Sequence, residues 1–551
     1  MAAEGTLGTT AAEQRKLQRR VGLVALMFTS VGSIIGSGWL LGALTASKVA
    51  GPAALISWLI GAAAVLVLAL VHAELGGMFP VAGGSGRYPH YAFGSLAGLS
   101  SAWFWYLGAV TVAPAEVEAA LSYANNYLPG LIDTHSGTLT IPLGFIVAAI
   151  LMALFAAINV MGVRWLAETN RYTVFWKIAI PVLTVIIFLA LFHHFDNLTS
   201  HGFMPNGPPS VFAALSSGII FAYLGFEQAV QFGAESRNPQ RNVPLAVIGS
   251  VLIGVVIYLA LAVAFATSFE PSALAKGWSN LSFPGSFGPY AAIASASGLG
   301  VLALLLYADA AISPAGTGLL YVGSSARMSF GMARNRYIPG VFDDLSSRRV
   351  PVVSILFAMV LGFLFLLPFP SWQELIAIIT SATVLSYGLQ PLALSALRRQ
   401  VRDVPRPYRL PAAEIVSPAA FVIANLIIYW SGWGTVWKLM VAVLLGFVIL
   451  AATYALSPAD RRPSFDWRAA YWLLPYLAGL TVISFLGAKD FGGRGLLTFG
   501  WDAVVVAVFS VAIFVLAIRT RLPDVAAHRY IADLGAEAEA EEELLGEPVA
   551  G

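Results

Sequence analysis

The sequence predicts an all-α integral membrane protein with about fourteen transmembrane helices, and three observations predict it. Of the 551 residues, 58% are hydrophobic and only 11% are charged. The mean hydropathy is +0.78, more apolar surface than a soluble domain, with about a quarter of its residues charged, can hide in a core. The apolar residues come in blocks of about 20 or more, and at 1.5 Å per residue a helix of that length crosses a hydrocarbon layer of about 30 Å. Charge also partitions by side. With both termini cytoplasmic, the inside loops and tails hold 25 of the 31 lysines and arginines, the outside segments hold Lys48, Lys276, Lys438, Lys489 and Arg494, and Lys177 lies within a span. This asymmetry is the positive-inside pattern, and it requires an even number of spans.

The elements follow in order. Met1 to Arg20 is polar and charged, with neither an apolar run nor a small-residue cleavage site before the first span, so it reads as a cytoplasmic N-terminal tail rather than a cleaved signal peptide. Spans are expected at about 21–47, 52–76, 93–127, 139–161, 172–193, 210–234, 244–268, 291–325, 351–368, 372–397, 415–436, 438–456, 469–487 and 498–518. The segment 291–325 is kept as one long span, because two would place Arg398, Arg399, Arg402, Arg406 and Arg409 outside. The organisation is then a first five-helix unit at 21–193, a second at 210–397, a cytoplasmic Arg/Pro-rich loop at 398–414, four further helices at 415–518 and a cytoplasmic tail at 519–551. The run EAEAEEELLGE from Glu537 to Glu547 makes that tail acidic, and such a charge run reads as a solvated, disordered end.

Two spans carry glycine-rich interruptions at matching places: GSIIGSGW, Gly32 to Trp39, in the first, and FAYLGFE, Phe221 to Glu227, in the sixth. Their spacing is what divides the chain into two five-helix halves. Unwound backbone at membrane depth is tolerated where it lines a cavity and binds something. Gly32 with Gly36, and Gly38 with Gly42, also form GxxxG pairs of the kind that bring helices close. Recurrence of the break five spans later favours binding over packing alone.

With these segments the chain resembles the amino acid-polyamine-organocation (APC) superfamily. GSIIGSG is similar to that family's G-x-I-I-G-x-G segment, and AELGGMFPVAGGSGRY, Ala73 to Tyr88, to the E-L-G…P…G-G segment after its second span. AESRNPQRNVPLAV, Ala234 to Val247, is a third match, and GSSARMSFGMARNRYIP, Gly323 to Pro339, a fourth, with Arg336 where the family has glycine. The segment SPAGTG, Ser313 to Gly318, and the fourteen-span count look most like the aspartate:proton symporter branch. The last four spans carry no such motif. The resemblance implies two inverted five-helix repeats, with a substrate between the first and sixth spans. It places an amino acid carboxylate on backbone N–H groups at Gly36, Ser37 and Gly38, and an amine on carbonyls near Ile34, Phe221 and Ala222. The positive end of a half-helix independently favours an anion there. Phe221 and Tyr223 are the aromatic gate candidates, or ordinary packing aromatics.

Ionisable groups inside spans are costly unless paired or hydrated, so each is a candidate functional residue: Glu74, Glu116, Glu118, Lys177, Glu227 and Asp309. Glu74, near an inner helix end, is expected to pair with cytoplasmic arginines. Glu116 and Glu118 follow Pro114, whose missing N–H frees the Val110 carbonyl. Two positions apart on a helix, at most one of them faces the transport path. Asp309, with Ser313 and the Ala310 carbonyl freed by Pro314, makes a possible cation site or a plain kinked helix. Glu227 either binds a substrate cation or caps and gates the second half-helix. Lys177, in FWKIAIP, matches the lysine that proton-driven members of the superfamily carry, which makes it the proton-coupling candidate. Pro181 frees the carbonyl of Lys177 itself. The acceptors expected for its ammonium are the carbonyl of Ile34 or Ile35 and the Ser313 hydroxyl; the alternative is a lysine that snorkels to the inner interface.

Cysteine is absent, and histidines 72, 90, 135, 193, 194, 201 and 528 show no metal-ligand spacing, so neither a metal nor a cofactor is implied. The pI of about 8.6 arises from the inner loops, where anionic lipid headgroups account for it, and does not point to nucleic acid. Three functions fit: proton-coupled import of an amino acid, exchange of one amino acid or amine for another, and, remotely, an intramembrane enzyme suggested by GGSG at Gly83 to Gly86. The class of amino acid stays open, because an acidic substrate wants a basic partner and Lys177 is the only Lys or Arg within a span.

Overall fold

The computed structural model describes residues 21–81, 84–133, 136–161, 163–233, 236–281, 288–334, 336–346, 350–367, 371–458, 462 and 465–532, without the side chains of 163–172 and Arg334. The expected N-terminal tail and acidic run lie outside these residues, as does His135.

The described residues form helices joined by short turns. The first span is two half-helices, Leu23–Ile34 and Gly38–Ala50, and the second is Ala54–Met78. The third to fifth are Ser95–Ala124, Leu143–Met161 and Val163–Leu191. The sixth is assembled from Gly207–Ala214, a wide π turn at Leu215–Ile219, Ile220–Tyr223 and Gln228–Gln231. The seventh to tenth are Pro239–Ala266, Gly300–Arg334, Val352–Phe365 and Trp372–Gln400. Ala413–Trp430, Trp433–Leu456, Leu473–Leu486 and Trp501–Thr520 complete the fourteen. Among the described residues, eleven helical stretches are long and apolar enough to cross a membrane. Gly38–Met78 is one of these, although a 3-10 turn at Gly51–Ala53 folds it in two; the first half-helix, the ninth and the thirteenth spans are the shorter apolar helices.

Burial sorts the spans into layers. The third and tenth are buried all round, whereas the fifth exposes Phe175 and Ile186, the twelfth Leu444 and Val448, and the fourteenth Val504 and Val508. Apolar side chains on the outside of a bundle are stable only where lipid is the solvent, so close packing rather than the hydrophobic effect holds the helices together. The ninth span shows how: a Cβ on Gly362 would sit 2.8 Å from the Val110 carbonyl, the group that Pro114 leaves without its helical donor.

Several expected boundaries move. The eighth span begins at Gly300, not 291, because Ser297–Leu299 turns the chain with Gly298 at φ 75° and leaves Pro289–Ala296 as a separate short helix. It then runs on to Arg334. Of GGSG, Gly83 lies outside the described residues and Gly84 opens the buried helix Gly84–Phe93, pinned by Ser101 Oγ and Gln390 Nε2, which donate to the Ser85 carbonyl at 3.2 and 2.7 Å. Lys438 falls inside the twelfth helix rather than before it, because the turn at Gly432 is tight. Arg336, where the resemblance has glycine, adopts φ 61°, a left-handed conformation that residues other than glycine rarely enter.

Glu74 behaves as expected. Its side chain is buried, Arg398 donates to it through Nε at 2.9 Å and Nη2 at 2.5 Å, and the Leu410 N–H donates at 2.6 Å. Arg406 Nε lies 3.7 Å away. This clasp joins the second span to the loop after the tenth. Arg398→Met leaves the carboxylate buried without its main partner and is expected to cost about 3 kcal/mol, read as a loss of thermal stability in detergent. Glu74→Gln with Arg398→Met together should cost less than the sum of the two; additive losses would show that the pair does not act as one.

Candidate functional site

The two interruptions meet. At Ile35 the first span leaves the helix with φ −89°, ψ 89°. In the sixth, Leu224 is extended at φ −71°, ψ 155° and Gly225 takes φ 116°. Gly225 must be glycine twice over: the angle suits no other residue, and a Cβ would lie 2.8 Å from the Ser33 carbonyl carbon. Gly38 is equally confined, since its Cβ would come within 3.0 Å of the Ala222 Cα.

Each break exposes donors and acceptors that have no helical partner, and the surrounding helices supply the replacements. Lys177 Nζ, from the fifth span, donates to the Gly32 carbonyl at 2.8 Å and to Thr317 Oγ1 at 2.7 Å. Tyr258 OH donates to the Ile34 carbonyl at 2.8 Å. On the other side of the gap, the Ser37 N–H donates to Glu116 Oε2 at 2.8 Å, and Trp372 Nε1 donates to Ser37 Oγ at 2.9 Å. A cation thus meets the carbonyl end of the first half-helix and a carboxylate the N–H end of the second, as the dipoles of both favour. The sixth break is held by Ser30, whose hydroxyl donates to the Phe226 carbonyl at 3.0 Å and accepts from the Ala229 N–H at 2.9 Å. Glu227 accepts from the Gly225 N–H at 3.0 Å, from Tyr321 OH at 3.3 Å and from Tyr387 OH.

Between the breaks lies a closed cavity whose wall includes Ser33, Ile34, Gly36, Glu116, Phe221, Thr317, Tyr321 and Thr383. Its free space is about that of a single water, so it opens before it admits an amino acid. Phe221 roofs it, with its ring at 89° to Trp372 and 5.9 Å away.

Several expected residues lie elsewhere. Tyr223 turns away from the cavity, stacking among Trp58 and Tyr258 with its hydroxyl 3.4 Å from the Trp58 carbonyl. Ala222 packs on Gly38. Asp309 and Ser313 bond to each other at 2.6 Å, and Trp39 Nε1 donates to the second Asp309 oxygen at 3.0 Å; neither residue is on the cavity wall. Lys177 reaches neither Ser313 nor the carbonyls of Ile34 and Ile35. Its acceptors lie one turn on in the eighth span and earlier in the first. Glu227 is the residue just before Gln228–Gln231 but makes no side-chain cap; it braces the turn before it instead. Sequence reasoning missed Ser30, Tyr258, Tyr321, Trp372, Thr383 and Tyr387. Thr317 lay within the SPAGTG segment already singled out. The others are single polar or aromatic residues in apolar helices, which only folding brings to the breaks. Ser85 Oγ has no hydrogen-bond partner among the described residues, and no group of three His, Asp or Glu side chains there is placed to hold a metal ion.

Comparison with known proteins identifies the family to which the chain is similar. The family model described as amino acid permease matches residues 21–452. The chain is 36% identical over 515 residues to the glutamate/serine transporter AimA of Bacillus subtilis (strain 168), covering 92% of this chain and 94% of that one. It is 33% identical to the aspartate-proton symporter of the same organism, over 93% and 99% of the two chains. The branched-chain amino acid permease BcaP, again of Bacillus subtilis, is 26% identical over 79% and 93%.

Ser30→Ala removes the acceptor of Ala229 and the donor to Phe226 together. It should lower the thermal stability of the purified protein by about 1–3 kcal/mol, while Ser30→Thr, which keeps the hydroxyl, should retain most of it. Equal losses in both variants would show that size, not hydrogen bonding, matters at this position.

Proposed function

The chain belongs to the amino acid permease family and is a multi-pass membrane transporter of amino acids, and from that premise we propose that it imports an amino acid together with a proton, by alternating access around the facing breaks. The proposed substrates are amino acids with short polar side chains, of the class of aspartate, glutamate and serine. Two relatives carry those names, and the cavity wall includes the polar residues Ser33, Thr317, Tyr321 and Thr383. The substrate carboxylate is proposed to lie on the N–H groups of Gly36, Ser37 and Gly38, and its ammonium beside the carbonyls of the two breaks near Ile34 and Phe221. Residues 21–193 and 210–397 act as the two inverted repeats in this reading, both termini are cytoplasmic and the membrane is the plasma membrane.

The observation that carries proton coupling is the bond from Lys177 to Gly32. A protonated Lys177 ties the fifth span to the inner half of the first and, through Thr317, to the eighth. Charge-assisted hydrogen bonds are about twice as strong as neutral ones, so loss of the proton weakens the tie and releases the inner half-helix to move. Proton and substrate act on adjoining stretches of one interrupted helix, which is the coupling that symport requires.

In proteoliposomes under an imposed proton gradient, Lys177→Ala should lose gradient-driven accumulation while exchange of labelled for unlabelled substrate survives. Mutant accumulation that keeps its dependence on external pH would contradict the assignment. Competition by unlabelled compounds tests the carboxylate: serine, aspartate and glutamate should inhibit uptake and their decarboxylated amines should not. Gly38→Val, which wedges the first span off Ala222, should abolish binding.

A further inference from the structure

We infer that Glu116 is a resident anion of the first break: in the closed site its carboxylate occupies the N–H position a substrate carboxylate takes, and substrate binds by displacing it. This rests on the reading that the substrate carboxylate goes to the Ser37 region. The Ser37 N–H already has an acceptor, Glu116 Oε2 at 2.8 Å. The second oxygen, Oε1, is buried and has no hydrogen-bond partner among the described residues. It stands against Gly36 so closely that a Cβ there would be 2.6 Å from it. Glu116 lies on the wall of the same cavity, whose remaining space is about one water. Two carboxylates do not fit, and the break offers its N–H to one of them.

The arrangement has a physical reason. An open half-helix N-terminus at membrane depth leaves N–H groups without acceptors, each costing about 1–3 kcal/mol, and the cavity has room for about one water. Glu116 fills that need in the substrate-free state, just as Lys177 fills the carbonyl end at Gly32. The pair presents to the break the two charges of a zwitterionic amino acid. A substrate that brings its own carboxylate replaces Glu116 at no loss of hydrogen bonding, whereas an amine without one leaves Ser37 unpartnered. The resident carboxylate therefore acts as a selectivity device: it sets the affinity that any anion must exceed. Pro114, two residues before it in the third span, removes one helical hydrogen bond there, a weak point about which the span can move to carry Glu116 away.

The test uses the full-length protein in detergent with Glu116→Ala and Glu116→Gln. Sodium acetate, compared with sodium chloride at equal ionic strength, serves as a bare carboxylate probe. Acetate should raise the melting temperature of Glu116→Ala and leave the wild type unmoved, because only the variant has a vacant N–H. Amino acid affinity, measured with labelled aspartate, glutamate and serine, should tighten on the order of tenfold in Glu116→Ala, since a competing charge-assisted bond is gone. Glu116→Gln, which keeps shape and a neutral acceptor, should fall between, and it decides the matter if the alanine variant does not fold. Weaker amino acid binding in both variants, with no acetate effect, would overturn the inference and make Glu116 a direct partner of substrate or a structural residue. Failure of this idea alone shows as unchanged affinity in the variants with decarboxylated amines still excluded from the wild type. Free access of those amines would instead sink the carboxylate reading on which it rests.

Discussion

Backbone that leaves the helix inside a membrane must find other partners, and the structure is arranged around that requirement. Without water, each orphaned N–H or carbonyl costs several kcal/mol, yet the first and sixth spans both unwind halfway across. Lys177 from the fifth span, Tyr258 from the seventh and Glu116 from the third bond the backbone of the first break directly, while Thr317 and Tyr321 of the eighth and Trp372 and Tyr387 of the tenth hold side chains at the two breaks, those of Lys177, Ser37 and Glu227. Ser30 of the first span serves the sixth. These polar residues in otherwise apolar helices are thus explained by two short stretches of chain.

The same requirement makes the site responsive. A break held by ionisable side chains changes its packing when one of them changes charge, and a break held by exchangeable groups admits a ligand that offers the same hydrogen bonds. Glu227 illustrates how tightly such a group is enclosed, with Gly225, Tyr321 and Tyr387 all donating to it. The clasp of Glu74 and Arg398 lies outside this system, where it fixes the inner end of the second span to the loop after the tenth.

Much of this was legible in the sequence. Span number followed from the length of apolar blocks and the placement of lysine and arginine, and both breaks from glycines in apolar runs. Glu74 was read as an arginine partner because it stands at an inner helix end. What escaped was tertiary. Asp309 pairs with Ser313 one turn on in its own helix, away from the cavity wall, and Tyr223 faces Trp58 rather than the cavity. A helical run of 100° per residue does not tell which face meets the break until the neighbours are placed. The eighth span failed at its start because a glycine turn and a short buried helix are as apolar as a span.

The central claim is that the N–H end of the outer half-helix in the first span receives the substrate carboxylate. An experimental structure with aspartate, glutamate or serine bound tests it most directly. The account predicts the ligand carboxylate within hydrogen-bond distance of the Ser37 N–H, with Phe221 over the ligand. A carboxylate held instead by side chains away from Gly36 to Gly38, with the first break unchanged, would contradict it.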